Sequence, residues 1–433
     1  MHGLAYVPFA GHRLGDTESY VVAAKAILDG GYTTPLPAVD VTGLRLPRDA
    51  VGAPERQTYR TPGYPLLLAA TGGGGFGAPT DAIIAVQAAL AGATTLLLVF
   101  LARRLWSSRI ALAAGALSAF DPFPKHYVTR ILSEVLAGFL VVVTAYLFTR
   151  AWQARSPRWW AATGAAASAL TLTRPLFALV LPLAAVAAAA AKGDFRVRGR
   201  RLAALVGGSI VLLGPWLGWT TAATGRPALT SFGEGWNLLI AAHGEGLHRT
   251  AVEVESSPAY LHDFAAARRF APSAERLRTD PDAHPRYLVR ADGDQRDRAV
   301  DLYLDRLRAA PLSVLGEFAY RSYFLWEAHE DWVQRDWLLP LLRAVDWLSL
   351  AVGVAGAALA MRAGGAARLL AVFLLLFTVT NGIHHVEARY AMPVRSLYVA
   401  FMALALFALV RETRARLARR GRAGRLRRGE SGA

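Results

Sequence analysis

The chain has 433 residues, 54% of them hydrophobic, and carries 48 Lys and Arg against 32 Asp and Glu for a net charge of +16. High apolar content with a strong basic excess is unlike a soluble enzyme and points to a chain that lives in a bilayer. The absence of cysteine excludes disulfides, thiolate metal sites and cysteine nucleophiles. In chain order, Thr17–Leu28 reads as a helix with Asp16 and Glu18 at its N-terminus, where acids complement the helix dipole, and with Gly30–Gly31 ending it. Residues 33–62 are Pro-rich and read as irregular. Arg60-Thr61-Pro62-Gly63-Tyr64-Pro65 then reads as a rigid turn at the membrane surface. The glycines at 72–75 and 77 lack the Lys-Ser/Thr of a phosphate loop and read as a flexible connector.

Nine windows follow that are apolar over most of a bilayer crossing, which takes about 20 residues: 83–102, 109–127, 131–150, 159–173, 175–191, 202–222, 341–361, 367–384 and 394–411. Between the sixth and seventh lies a polar insert, 223–340. In it Asp294–Arg308 reads as an amphipathic helix. After Pro311, the residues Leu312, Leu315, Phe318, Ala319, Tyr323 and Trp326 share a face that, with Trp332 and Trp337 beyond it, suits a helix lying in the interface. No internal repeat is present.

Alternating sides collects Arg103–Arg109, Arg150–Arg158, Lys192–Arg201, Arg362–Arg368 and the tail from Arg411 at one membrane face. These stretches hold 22 of the 48 basic residues but only Asp194, Glu412 and Glu430 of the 32 acids, a net +19, which leaves −3 for the rest of the chain. The positive-inside rule makes that face cytoplasmic. The same bias accounts for the basic excess, so nucleic acid is not implied as a partner. The terminal run to Arg428 carries nine arginines and reads either as a disordered tail with no further role or as a basic tail resting on anionic headgroups.

The expected molecule is an all-α integral membrane protein of about nine transmembrane helices with an extracytoplasmic helical insert. It divides into a first outer loop, 1–82; six helices over 83–222; the outer insert, 223–340; three helices over 341–411; and a cytoplasmic tail, 412–433. Met1–Ala10 is a short apolar stub without the layout of a signal peptide, so an outer 1–82 implies a further spanning helix upstream.

Ionisable residues gather at the outer helix ends; charge at bilayer depth defaults to a functional hypothesis, whereas charge at this boundary is weaker evidence because it can snorkel into water. They are Asp16, Glu18, Arg60 and Tyr64; Asp121, Lys125, His126, Arg130 and Glu134; Arg174, in a tight outer turn between apolar helices; and His384, His385, Glu387, Arg389 and Tyr390. Arg174 is either an anion ligand or a snorkelled anchor. Arg130 and Glu134, spaced i,i+4, read as an intrahelical ion pair.

Asp16-Thr17-Glu18-Ser19-Tyr20 with Gly30-Gly31-Tyr32, then Arg60-Thr61-Pro62-Gly63-Tyr64-Pro65-Leu66-Leu67-Leu68-Ala69, resembles the first outer loop of the GT-C superfamily, polytopic glycosyltransferases that use polyprenyl-phosphate sugars. The resemblance is to the protein O-mannosyltransferase and aminoarabinose-transferase branch. It extends through Ser133-Glu134, Thr173-Arg174-Pro175, Asn237-Leu238-Leu239 and Glu387-x-Arg389-Tyr390-x-x-Pro393, in the expected order. Each motif is short. Asp-Thr-Glu stands where relatives often have adjacent acids or Asp-x-Asp, which puts metal dependence in doubt.

The resemblance implies a glycosyltransferase of the plasma membrane with an outward catalytic face, a polyprenyl-phosphate sugar as donor and a lipid, glycan or protein acceptor. Such a transfer needs a carboxylate to take the acceptor proton, for which Asp16 is the candidate. It also needs cations for the leaving phosphate, for which Arg60, Lys125, Arg174 and Arg389 are placed. Tyr64, His126, His384, His385, Glu387 and Tyr390 complete the expected donor site. The resemblance fixes no cofactor, and a divalent ion shared by Asp16 and Glu18 is the alternative use of that pair. The absence of a dinucleotide fingerprint or a sizeable cytoplasmic domain favours a lipid-linked donor. Two rival readings are a transporter or lipid flippase, expected to bind at the bilayer midplane through paired repeats, and a ligase that moves a whole glycan from its lipid carrier using Arg and His.

Overall fold

The computed structural model describes residues 16–40, 45–72, 80–154, 156–246, 249–327 and 339–430. The described chain is almost wholly helical. Helix α1 (Asp16–Leu28) is followed by a small antiparallel pair, β1 (Thr33–Pro35) and β2 (Pro54–Arg56), with Thr34 opposite Glu55. Then come α2 (Gly63–Ala70), α3 (Asp81–Leu105), α4 (Ser108–Phe120), α5 (Pro122–His126), α6 (Glu134–Ala154), α7 (Pro157–Thr173), α8 (Val180–Ala190) and α9 (Phe195–Thr224). The insert holds α10 (Glu234–Ala242), α11 (Ala251–Glu255), α12 (Pro258–Ala266), α13 (Ala274–Thr279), α14 (Ala283–Ala309) and α15 (Pro311–Phe324). The bundle closes with α16 (Leu339–Ala363), α17 (Gly365–Ile383) and α18 (Arg395–Glu430).

All nine apolar windows fall on helices. Among the described residues six helices are long and apolar enough to cross a membrane: α3, α6, α9, Pro340–Ala363 of α16, α17, and Ala388–Arg419 leading through α18. The other three windows form shorter helices. The 109–127 window is broken at Asp121, whose carboxylate accepts the Phe123 N–H at 3.1 Å and starts α5. The protein is thus an all-α, multi-pass membrane protein.

Its apolar core runs from Leu98 and Leu101 of α3 through Val141 and Val142 of α6 to Leu397 and Phe401 of α18. Helices α7 and α9 cross closely because a Cβ at Gly164 would run into the Leu205 carbonyl, and one at Gly208 into that of Ala161. Small residues at a crossing bring membrane helices close enough for extensive van der Waals contact.

The α3–α4, α6–α7 and α16–α17 basic connectors meet at one end of the bundle. Arg104 donates to Gln153 Oε1 at 3.3 Å, joining the ends of α3 and α6. A Cβ on Gly365, at the start of α17, would lie 3.6 Å from Trp152 Nε1 of α6. Arg201 turns back to the Ala191 and Lys192 carbonyls at 3.3 and 3.0 Å.

Several local expectations are corrected. Thr61-Pro62-Gly63 opens a helix instead of making a turn: Pro62 caps α2, and Pro65 lies in its first turn, where no N–H is needed. The stretch 33–62 is not wholly irregular, since it holds the β1–β2 pair. The amphipathic helix of the insert starts at Ala283, well before Asp294, because Pro285 too falls in a first turn. The apolar face of α15 divides. Leu312 and Leu315 are exposed, while Val314, Arg321 and Leu325 are buried, and Trp326 packs on Tyr398 with ring centroids 4.9 Å apart. Met1–Ala10, the glycines from 73 to 77, Trp332 and Trp337 lie outside the described residues, as do the side chains of the basic tail from 420.

The insert has its own core of Phe232, Leu239, Ile240, Tyr260, Tyr287 and Leu288. It is fastened to the first loop by buried charge. His284 on α14 meets Glu55 at 2.5 Å through Nδ1 and Asp40 at 3.2 Å through Nε2. Arg56 pairs with Asp282 at 3.3 Å. Burial lowers the His284 pKa, but the Glu55 and Asp40 carboxylates outweigh it and raise it to about 10.

Candidate functional site

At the end of the bundle opposite the basic connectors, five segments distant in sequence bring charged side chains together. The first turn of α1 supplies Asp16, the irregular stretch between β2 and α2 supplies Arg60, and the start of α6 and the end of α7 supply Glu134 and Arg174. The loop after α17 supplies Glu387 and Arg389. Asp16 is gripped from two sides: Arg60 Nη2 donates to Oδ1, and Arg389 Nη2 lies 2.8 Å from Oδ2. Arg389 also donates to both oxygens of Glu387, Nε at 2.5 Å and Nη2 at 3.1 Å, and its Nη1 lies 4.0 Å from Glu134 Oε1. Arg174 Nη1 is 2.7 Å from the same Glu134 oxygen. Three carboxylates therefore interleave with three guanidiniums, and the ledger closes at zero.

The geometry is held by local chemistry. The Arg60 guanidinium lies over Tyr59 and Tyr20, 4.5 and 4.7 Å from their ring centroids, and donates through Nε to Ser19 Oγ at 2.7 Å. Tyr20 donates to Ser133 Oγ at 3.1 Å, tying α1 to the residue before Glu134. Tyr390 sits beneath both Arg174 and Arg389, at 5.4 and 5.9 Å from its centroid, and donates to Glu387 Oε1 at 3.3 Å. Burial raises the Asp16 pKa, but the Arg60 and Arg389 guanidiniums overrule it and hold this carboxylate well below the ordinary range. Glu387 is likewise raised by burial and then lowered to about 2 by His385 and Arg389. Asp16 retains 34% exposure of its side chain, so it is reachable. Glu134 is 2% exposed, and its Oε2 has no hydrogen-bond partner.

Of the residues singled out in the sequence, Asp16, Arg60, Arg174, Glu387, Arg389 and Tyr390 come together here, with His385 adjoining. Four of the residues expected at the donor site do not face this cluster. Tyr64 is fully buried, edge-on to Tyr20, and spends its hydroxyl on Gln87 Oε1 at 3.1 Å, which makes it a supporting core residue. Lys125 donates to the carbonyls of Ala119 and Asp121, closing the end of α4, because its stem reaches back over that helix terminus. His126 stands edge-on to Tyr127 in the same short loop. His384 Nδ1 bonds the Thr380 carbonyl at 2.9 Å and caps α17.

The Arg130–Glu134 pair is also corrected. Arg130 lies over the Tyr127 ring, while Glu134 turns to Arg174, because helix α6 begins only at Glu134 and the i,i+4 relation does not arise. Arg174 is thus the ion-pair partner of Glu134 in this structure. A divalent ion on Asp16 and Glu18 does not fit the donor set, since both Asp16 oxygens already accept from guanidiniums. Among the described residues no three His, Asp or Glu side chains gather where they could hold a metal.

Two contributors escaped the sequence reading. Glu245, after α10, accepts from His385 Nδ1 at 2.7 Å. Arg321 of α15, 1% exposed, donates to the carbonyls of Gly382 at 2.8 Å and Glu245, and to Tyr303 Oη at 3.0 Å. A cation amid the apolar residues of α15 was the available signal for Arg321. Nothing local marks Glu245.

Residues 66–219 match the family model described as dolichyl-phosphate-mannose-protein mannosyltransferase. No curated protein matches the chain. Solved structures similar to it include ArnT from Cupriavidus metallidurans bound to undecaprenyl phosphate, at 16% identity over 92% of this chain and 75% of that one, with a TM-score of 0.36. The apo state of the same ArnT aligns at 15% identity over 93% and 74%, with a TM-score of 0.35. The GT-C resemblance carried by the short motifs is thus matched by a mannosyltransferase family model over the stretch from α2 to α9, which includes Glu134 and Arg174.

Proposed function

We propose that this protein is a membrane glycosyltransferase that moves a sugar from a polyprenyl-phosphate carrier to a hydroxyl acceptor at the outer face of the plasma membrane. The observation that carries this reading is the reachable Asp16 carboxylate held between Arg60 and Arg389 at the end of the bundle away from the basic connectors. Asp16 is the base. The acceptor oxygen attacks the anomeric carbon as its proton passes to Asp16. The bond from that carbon to the carrier phosphate breaks, its electron pair leaving with the phosphate, and attack from the opposite face inverts the anomeric centre.

A carboxylate held by two guanidiniums is ionised but a weak base. The same cations are what a lipid phosphate seeks. In this reading the incoming donor phosphate draws Arg389, and with it Arg60, away from Asp16. That capture raises the affinity of Asp16 for a proton at the moment the acceptor needs it and leaves the arginines to stabilise the departing phosphate. Arg174 keeps Glu134 neutralised, so that the buried carboxylate does not compete for Arg389. The net +19 on the opposite connectors supports an outward site and a cytoplasmic tail.

The test is product analysis with purified protein and a panel of radiolabelled polyprenyl-phosphate sugars offered with lipid, glycan and peptide acceptors. Release of free polyprenyl phosphate coupled to one labelled, inverted glycoside is the expected result. A preparation that binds such carriers and never cleaves the sugar–phosphate bond removes the reading in favour of a flippase.

A further inference from the structure

Beyond the Asp16 cluster the charged chain continues into the insert. Arg389 is bonded to Glu387, His385 Nε2 lies 3.8 Å from Glu387 Oε1, and His385 Nδ1 donates to Glu245 Oε1 at 2.7 Å. The carbonyl of Glu245 is pinned by Arg321, which also holds Gly382 at the end of α17. The backbone N–H of His385 donates to the Asn237 carbonyl at 2.9 Å. His385 is thus fixed at its backbone by α10 and at its ring by the loop that follows. Glu245 is 6% exposed, and its second oxygen has no hydrogen-bond partner, so it is a buried acid whose bond to His385 compensates its burial.

We propose that Glu245 and His385 are positioning residues: the insert, through this pair, sets the orientation of Glu387 and hence of Arg389 at the proposed lipid-phosphate site. The inference rests on the glycosyltransferase reading for its ligand, but the chain of contacts does not. Glu387 and Glu245 face the His385 ring from two sides. Trp236 and Tyr390 flank it with centroids 6.4 and 6.5 Å away, and Arg389 lies beyond Glu387. Burial lowers the pKa of His385, and its two acid partners raise it to about 9, so the ring is cationic at neutral pH and lies between two carboxylates. Without Glu245 the ring loses its proton at lower pH. Glu387 then has Arg389 as its sole cation and draws it from the site.

The test measures binding of undecaprenyl phosphate to the full chain in detergent, for wild type, Glu245→Gln and Glu245→Asp, between pH 5.5 and 9. Glu245→Gln should bind like wild type at the acid end and severalfold more weakly at pH 8, and Glu245→Asp should restore most of the difference. A Glu245→Gln defect of the same size at every pH, or none at any pH, overturns the proposal. If wild type itself ignores the lipid phosphate, the proposed function fails. The pair is then read directly from His385 by histidine-selective NMR. A ring that titrates near 9 in wild type and clearly lower in Glu245→Gln supports the positioning contact, and identical titration overturns it.

Discussion

Glu134 Oε1 and Arg174 Nη1 lie 2.7 Å apart, joining the start of α6 to the end of α7 with both side chains largely sealed from solvent. Breaking a buried pair on one side strands a charge, which costs about 3–5 kcal/mol, whereas removing both charges costs far less. Arg174→Gln should therefore unfold at clearly lower temperature in detergent than the double variant Glu134→Gln/Arg174→Gln. Equal losses in the two would show that the pair is not a closed electrostatic unit.

Asp16→Asn retains size and helix-capping capacity, so the protein should insert and fold normally. It should retain lipid-phosphate binding while sugar transfer falls by about 10²–10⁴-fold, the usual worth of a positioned acid–base group. Glu18→Gln should be milder, because both Asp16 oxygens are engaged by guanidiniums. Near wild-type transfer by Asp16→Asn would remove Asp16 from the mechanism and favour the glycan-ligase reading.

Arg389→Ala should weaken donor saturation by about tenfold to a hundredfold, matching the roughly 1.5–3 kcal/mol of a lost charge-assisted contact. Lys125→Ala should leave it unchanged, since its ammonium is spent on the end of α4. Kinetics with varied donor at fixed acceptor separate the two. A Lys125 effect on donor saturation equal to that of Arg389 would contradict the geometry.

The His284 clasp between the insert and the first loop should respond to alkali. Its folded pKa, about 10, lies above the ordinary histidine value, so its stabilisation is complete below that ordinary value and is lost as pH rises through about 10. Proteolysis of the 249–309 region should accelerate over that interval in wild type. A His284→Asn chain should cleave readily already at neutral pH, with little further change. A wild type equally protected at pH 7 and 10.5 would count against a charged clasp.

Sidedness is open to single cysteines, since the chain has none. Ser273→Cys, exposed at the start of α13, should react with an impermeant maleimide in intact cells, and Arg414→Cys only after lysis. The reverse pattern would invert the topology and move the site to the cytoplasmic face.

Membrane architecture was legible in the sequence because long apolar runs have few alternatives in a bilayer, where every backbone polar group must be bonded internally. The helical character of the nine windows, the end of α1 at Leu28 ahead of Gly30–Gly31 and the shared end of the α3–α4, α6–α7 and α16–α17 connectors follow from hydropathy and local backbone preference alone. So did the cast of the site in outline, since Asp16, Arg60, Arg174 and Arg389 stand out as charges at helix ends. What the sequence left undetermined was partnership. Local spacing offered Arg130 to Glu134, but packing of α7 against α6 presents Arg174 instead, and the ion pair follows the approach of helices. Tyr64 and Lys125 had suitable chemistry, yet the burial of one and the reach of the other withdraw them. Glu245 and Arg321 join the network only because the insert folds back over the end of α17, a contact between segments that no spacing rule connects. Hydropathy fixes which segments enter the bilayer, residue by residue; which charges meet depends on how those segments pack, and only the tertiary structure decides that.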